Sequence, residues 1–178
     1  MTLKIPNTVS AKTPAIVRYK GIIDMDSFVD YIMLNEIVLN YELEHPKSVF
    51  MCKKGNKIMM SHLWDFDWAF GLHRGGFFIE TASANWEFPG GWLFSRFFKD
   101  SEFKAKYKAR WNEKYDDILS MTSFIRETAD KISESQLKNY NLWYRGTENE
   151  FDFDSEVDKL LVWWDTRVKF LNGAINRR

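Results

Sequence analysis

The sequence predicts an α+β fold that is mostly helical, with one β-hairpin and four or five helices. Two observations carry this. The second half repeats apolar residues at spacings of three and four, through Phe103, Tyr107, Trp111 and Tyr115 and again through Val157, Leu160, Leu161, Trp164, Val168 and Leu171. That is the period of a helix with one buried face. The first half offers a single pair of β-leaning runs, 48–53 and 57–62, around Gly55-Asn56. A Gly-Asn pair accepts the positive φ angles of a tight hairpin turn. At 178 residues the chain can bury a real core, and 1–178 is expected to be a single domain.

Taken in order, residues 1–20 are mixed, hold Pro6 and Pro14, and read as an extended lead-in. Asp24 or Asp26 can cap a helix over 26–41, whose apolar stripe includes Phe28, Tyr31, Ile32, Leu34, Val38 and Leu39. His45-Pro46 ends it, because the residue before proline avoids helical angles. After the hairpin, with Cys52 as a small apolar residue in a core strand, residues 64–90 are aromatic and glycine-rich without a helical period. They read as a long ordered loop, a class often functional. A short apolar helix is expected over 91–100, a second from Asp100 or Ser101 to about Leu119, and a third from Thr122 or Ser123 to about Tyr140. An acidic loop at 146–153 leads to a last helix capped by Asp154 or Ser155.

Composition removes several function classes. Lys plus Arg and Asp plus Glu number 25 each, so the broad positive field of a nucleic-acid binder is missing. Charged residues interrupt the chain too often for a bilayer span of about 20 apolar residues. The first residues carry no apolar signal-peptide core. One cysteine excludes an internal disulfide and a multi-cysteine zinc site. Eight Trp, seven Tyr and 15 Phe fit either a core of large side chains or an exposed platform for stacking a sugar or base.

Two segments carry chemistry. In Leu63-Trp64-Asp65-Phe66-Asp67-Trp68-Ala69-Phe70-Gly71 the two aspartates are two residues apart. In extended chain both carboxylates point to one side. Aromatic walls make them costly to hold as anions without a partner. A hard cation such as Mg²⁺, which takes one or two carboxylates with water and phosphate oxygens, is one partner. Backbone amides in a turn are the other. The second segment, Asn40-Tyr41-Glu42-Leu43-Glu44-His45-Pro46-Lys47-Ser48, gathers carboxylates, an imidazole, an ammonium and a hydroxyl. It is either a hydrophilic connection or the second half of one pocket, since the hairpin returns the chain toward its start. A base, a positive charge and a metal site together are what phosphoryl transfer requires.

The series Ile22-Ile23-Asp24-Met25-Asp26-Ser27-Phe28-Val29-Asp30-Tyr31, Leu34-Asn35-Glu36-Ile37, Asn40, His45-Pro46-Lys47-Ser48 and the Trp64–Gly71 segment resembles the C-terminal half of the CotH kinase family, the spore coat protein H-like atypical kinases. Phe103–Trp111 and Val162–Arg167 resemble that family's helical tail. The resemblance covers about residues 22 to 175. It implies a divergent protein-kinase-like C-lobe that uses ATP and Mg²⁺ or Mn²⁺ to phosphorylate protein. It implies Asp65 as the metal ligand with Asp67 supporting it, and Ser48 on the nucleotide side. The family's catalytic aspartate follows an Asn by two residues. Asn40 matches that Asn, and the position holds Glu42, a carboxylate on an arm one CH₂ longer. Glu42 and Lys47 are thus the expected catalytic pair. The resemblance also implies a bacterial cell-surface or extracellular setting. The family's nucleotide-covering lobe is expected ahead of residue 20, so this chain is expected to be inactive as it stands. The rival expectation is a non-catalytic surface protein using the 64–92 aromatic loop to hold a glycan or a protein partner.

Overall fold

The computed structural model describes residues 19–44, 48–72, 94–143 and 152–177, with the Glu42 and Glu44 side chains excepted. Three α-helices and one hairpin account for the regular structure among them: α1 (Met25–Ile37), β1 (Met51–Lys54), β2 (Lys57–Met60), α2 (Ser101–Trp143) and α3 (Phe153–Arg177). The mostly helical α+β expectation holds, with fewer helices. The lead-in, His45–Lys47, the loop from residue 73 to 93, including His73, and most of the acidic loop lie outside the described residues.

The chain forms two compact units, one of 1–68 and 86–110, the other of 69–85 and 111–178. In the first, α1 begins as expected. Asp24 accepts a hydrogen bond from the Ser27 amide at 2.9 Å, and the Ser27 hydroxyl donates back to the Asp24 carbonyl. This satisfies amide groups that the first helical turn leaves open. Burial of Phe28, Val29, Tyr31, Ile32, Met33 and Ile37 wraps almost the whole circumference, making α1 a central helix.

The hairpin forms with Lys54 opposite Lys57 and Met51 opposite Met60, leaving Gly55-Asn56 as a two-residue turn. Gly55 has φ +59°, the value that turn demands. Residues 22–24 run parallel to β2, with Asp24 N–H donating to Ile58 and Ile58 N–H to Ile22. The Met60 amide donates to Ser27 Oγ at 3.2 Å, so the exit of β2 is fixed against the first turn of α1. β1 is exposed along its length, and Cys52 with it. The core-strand reading of Cys52 is corrected: β1 is an outer strand, exposed at every position, with no layer over it among the described residues.

Of the expected helix over 91–100, residues 91–93 lie outside the described residues; Phe94 is helical, and a turn at 95–96 leads into a 3₁₀ turn at Phe97–Lys99. Phe98, Phe103 and Tyr107 are buried, their rings meeting edge to face. Lys106 pairs with Asp26 at 2.7 Å, and Arg110 reaches both carboxylate oxygens of Asp30 at 2.8 and 3.1 Å. The Tyr107 hydroxyl donates to the buried Glu36 carboxyl.

The expected break at 119–122 does not occur. One helix runs 43 residues from Ser101 to Trp143. The segment holds no Gly or Pro. Near the expected break the Ser120 and Thr122 hydroxyls bond carbonyls three residues back, those of Asp117 and Leu119. Side chains so occupied sit inside a helix instead of capping a new one. In the second unit, Trp111 Nε1 donates to Asn172, Trp164 Nε1 to the Ile118 carbonyl, and Arg126 pairs with Asp158 at 2.9 Å. Partner numbers fall as α2 numbers rise, so α2 and α3 form an antiparallel pair.

Candidate functional site

The geometry begins at the end of α1. Its expected run to residue 41 stops at Ile37, because Leu39 takes a left-handed φ of 54°. Leu39 N–H then donates to the Glu36 carbonyl and Asn40 N–H to the Asn35 carbonyl, at 3.2 and 3.1 Å. This is the Schellman pattern, with leucine where glycine is usual. Two buried side chains hold it. Asn40 Nδ2 donates to Asn35 Oδ1 at 2.9 Å, and Asn35 Nδ2 donates to the Tyr31 carbonyl at 2.8 Å. The 3₁₀ turn Tyr41–Glu44, which carries Glu42, therefore leaves the helix in one fixed direction.

The aspartate segment is delivered from the other side. Residues 61–66 leave β2 without regular structure, and residues 67–68 turn. The Tyr41 amide donates to the Trp68 carbonyl at 3.1 Å, a direct backbone join between the two sequence segments. The extended geometry expected for Asp65–Asp67 is corrected. Asp65 has φ 54°, which turns the chain, and the Asp65 carboxyl still acts on that of Asp67. The Asp67 carboxyl is held above the ordinary carboxylate range, by desolvation first, then by the hydrogen bond its protonated form would donate to Asp65 and by the negative charge of Asp65.

Among described residues other than glycine, positive φ occurs at Leu39, Ser48, Asp65 and Phe70. All four flank or lie within these two segments. Such angles cost about 1 kcal/mol or more each for a side chain beyond Asn or Asp, and they gather where a site imposes its own geometry. Ser48 is half-buried. Lys47 and the Glu42 side chain lie outside the described residues.

Trp64 and Trp68 are 54% and 56% exposed, so they wall the aspartates only in part. Instead Phe50 stacks on His62 with centroids 4.4 Å apart, and Trp64 meets both edge to face. Sequence reasoning missed Phe50 and His62 in this role. A signal existed: a hairpin whose tight turn is fixed must bring 50 and 61–62 together, and Ser61 N–H does donate to the Phe50 carbonyl. It also missed the Asn35–Asn40 clamp, whose signal was two amide side chains just over one helical turn apart at a helix end.

A two-carboxylate site suits Mg²⁺ or Mn²⁺ that keeps water and phosphate oxygens as its remaining ligands. It does not suit a bare all-protein cage: among the described residues no three His, Cys, Asp or Glu side chains gather to hold an ion. The charge of Asp65 disfavours ionisation of Asp67, a repulsion that a bound cation would relieve. No helix among the described residues is long and apolar enough to cross a membrane.

No curated protein and no solved structure matches the chain. A family model described as CotH kinase protein matches residues 4–171. Nearly the whole chain lies inside that match, including the helix end, the hairpin and the aspartate turn, and the protein belongs to the CotH kinase family.

Proposed function

We propose that the turns at 40–44 and 65–68 form the phosphate end of a site that transfers phosphate from ATP to protein. The observation that carries this is the Tyr41–Trp68 backbone bond, which seats the segment bearing Glu42 against the one bearing Asp65 and Asp67. Asp65 is the principal metal ligand. Asp67 supports it more weakly, since desolvation and the neighbouring Asp65 disfavour its charged form. Glu42 is the base that accepts the proton of a substrate hydroxyl, and Lys47 with Ser48 contacts the phosphates. Mg²⁺ or Mn²⁺ bound with ATP would offset the charge that develops on the transferred group. Titration of the protein with Mg·ATP, beside Asp65→Asn, tests the reading. Wild type should bind and the variant should bind at least about tenfold more weakly, the effect of losing a charged contact worth about 1.4 kcal/mol or more. Equal affinity would remove Asp65 from the site.

The exposed Phe50–His62–Trp64 stack favours a second reading, a non-catalytic surface protein that holds a glycan or protein partner on aromatic rings. Titration with oligosaccharides beside Trp64→Ala separates the two. Sugar binding that vanishes in Trp64→Ala, with no Mg·ATP binding in wild type, would favour it.

A further inference from the structure

The distal half of α2 carries a second apolar stripe, apart from the face that meets α3. Ala129 is buried, and Trp111 and Ile118 bond to residues of α3. At 100° per residue, Trp143 and Ile132 lie about 30–50° and Phe124 and Leu142 about 130° from that face, all on the same side of it. They are 57%, 44%, 66% and 68% exposed. Large side chains of about 150–250 Å² each make this on the order of 500 Å² of open apolar surface on one helix. That is near the upper limit for a soluble monomer.

The flank of the stripe away from α3 is charged, and its pattern is a palindrome. Glu127, Lys131, Glu134 and Lys138 follow one another at spacings of four, three and four, all exposed. Within one helix Lys138 already reaches Glu134, at 3.7 Å, with both side chains at least 80% exposed. Laid antiparallel on a second α2 about a two-fold axis near Ile132, Glu127 meets Lys138 of the other copy and Lys131 meets Glu134. The same axis sets Phe124 beside Leu142, Trp143 beside Met121, and Ile132 on its own counterpart. One alignment satisfies every charge and every exposed apolar residue of the stripe. Self-complementarity of this kind is the requirement of a two-fold interface. Alternating charges beside an apolar seam set partner and orientation in paired helices. The stems of the flanking charged side chains add to this surface, toward the roughly 800 Å² per partner of a stable interface.

We infer that the protein is an antiparallel homodimer through the Phe124–Trp143 face of α2. The test uses three variants of the whole chain, measured by sedimentation equilibrium at about 50 µM, above the micromolar dissociation constants such interfaces reach. Glu127→Lys with Glu134→Lys makes the flank wholly positive, and Lys131→Glu with Lys138→Glu makes it wholly negative. Each should dissociate about a hundredfold more readily than wild type. Mixed in equal amounts, the two should form a heterodimer, and the fourfold reversal should dimerise as wild type does. Helical circular dichroism of each variant checks that α2 is intact. The inference is overturned by a monomeric wild type, including one that instead co-sediments with anionic vesicles. It is equally overturned by a mixture that stays monomeric or by like-charged variants that still dimerise.

Discussion

Asp100→Ala probes the point where the first unit is tied together before α2 begins. Asp100 is buried, at 7% exposure. One carboxylate oxygen accepts from the Glu102 amide at 3.0 Å, which caps α2. The other accepts from the Tyr19 hydroxyl at 2.7 Å and pairs with Lys20 at 2.8 Å. Loss of a cap costs about 1 kcal/mol, and loss of a hydroxyl bond to a carboxylate about 1.5 kcal/mol. The Lys20 ammonium is partly open to water and adds little. Asp100→Ala should therefore lower stability by about 2–3 kcal/mol, read from urea unfolding followed by Trp fluorescence. A change below about 0.5 kcal/mol, the scatter of ordinary surface substitutions, would refute the accounting.

The same contact fixes a pH dependence. The Lys20 hydrogen bond, then those from Tyr19 and the Glu102 amide, hold the Asp100 carboxyl below its usual range against the opposing effect of burial. A depressed carboxyl contributes stability that is fully present above its unfolded pKa of about 4 and is lost as pH falls through the folded value. Asp100→Asn keeps an oxygen for the cap and loses the charge. Its stability deficit should be full at pH 7 and shrink as pH falls below about 4. A deficit that stays constant down to pH 2 would mean that the charge of Asp100 does not carry the effect.

Asn40→Ala removes the donor to buried Asn35 Oδ1 and should cost about 1–3 kcal/mol, with faster amide hydrogen exchange at Tyr41. Unchanged exchange there would separate the clamp from the turn that carries Glu42. Gly55→Ala meets no atom within 4 Å, so its cost of about 1 kcal/mol comes from the positive φ alone, measured as a fall in Tm. Asp65→Asn removes a neighbouring negative charge and should lower the Asp67 pKa, read by carbon NMR of its carboxyl. An unmoved Asp67 would leave desolvation as the whole cause of its upward shift.

What was legible in the sequence was local. Asp24 capped its helix, and Gly55-Asn56 made its turn, because each rests on backbone geometry that a few residues dictate. Phe103, Tyr107 and Trp111 were read as one stripe and all three are buried. The extra break in α2 came from treating Thr122 and Ser123 as caps. A hydroxyl can serve a cap or bond back along the helix with similar local chemistry, and packing against α3 decides between them. Cys52 was misplaced for a related reason: a strand's sequence says which residues share a face, but not whether any layer covers that face.

The site was legible in its members and not in its shape. Asp65 and Asp67 were expected together because an extended chain would align them, and they come together in a left-handed turn instead. No residue pattern announces that turn, because aspartate is tolerated there and also everywhere else. The cost is set by what surrounds it. Leu39 and Phe70 carry side chains that gain nothing locally from a positive φ, yet Leu39 is fully buried and Phe70 meets the Trp163 ring at 5.9 Å. Burial of a large apolar side chain returns about 1.5–3 kcal/mol, enough to hold a left-handed residue against its local preference. The packing of Leu39 thus fixes where the helix ends, the Asn35–Asn40 clamp fixes how the chain leaves, and the Tyr41–Trp68 bond fixes what it meets. Substituting Leu39 with glycine would relax the backbone and still lose the packing that chooses the turn.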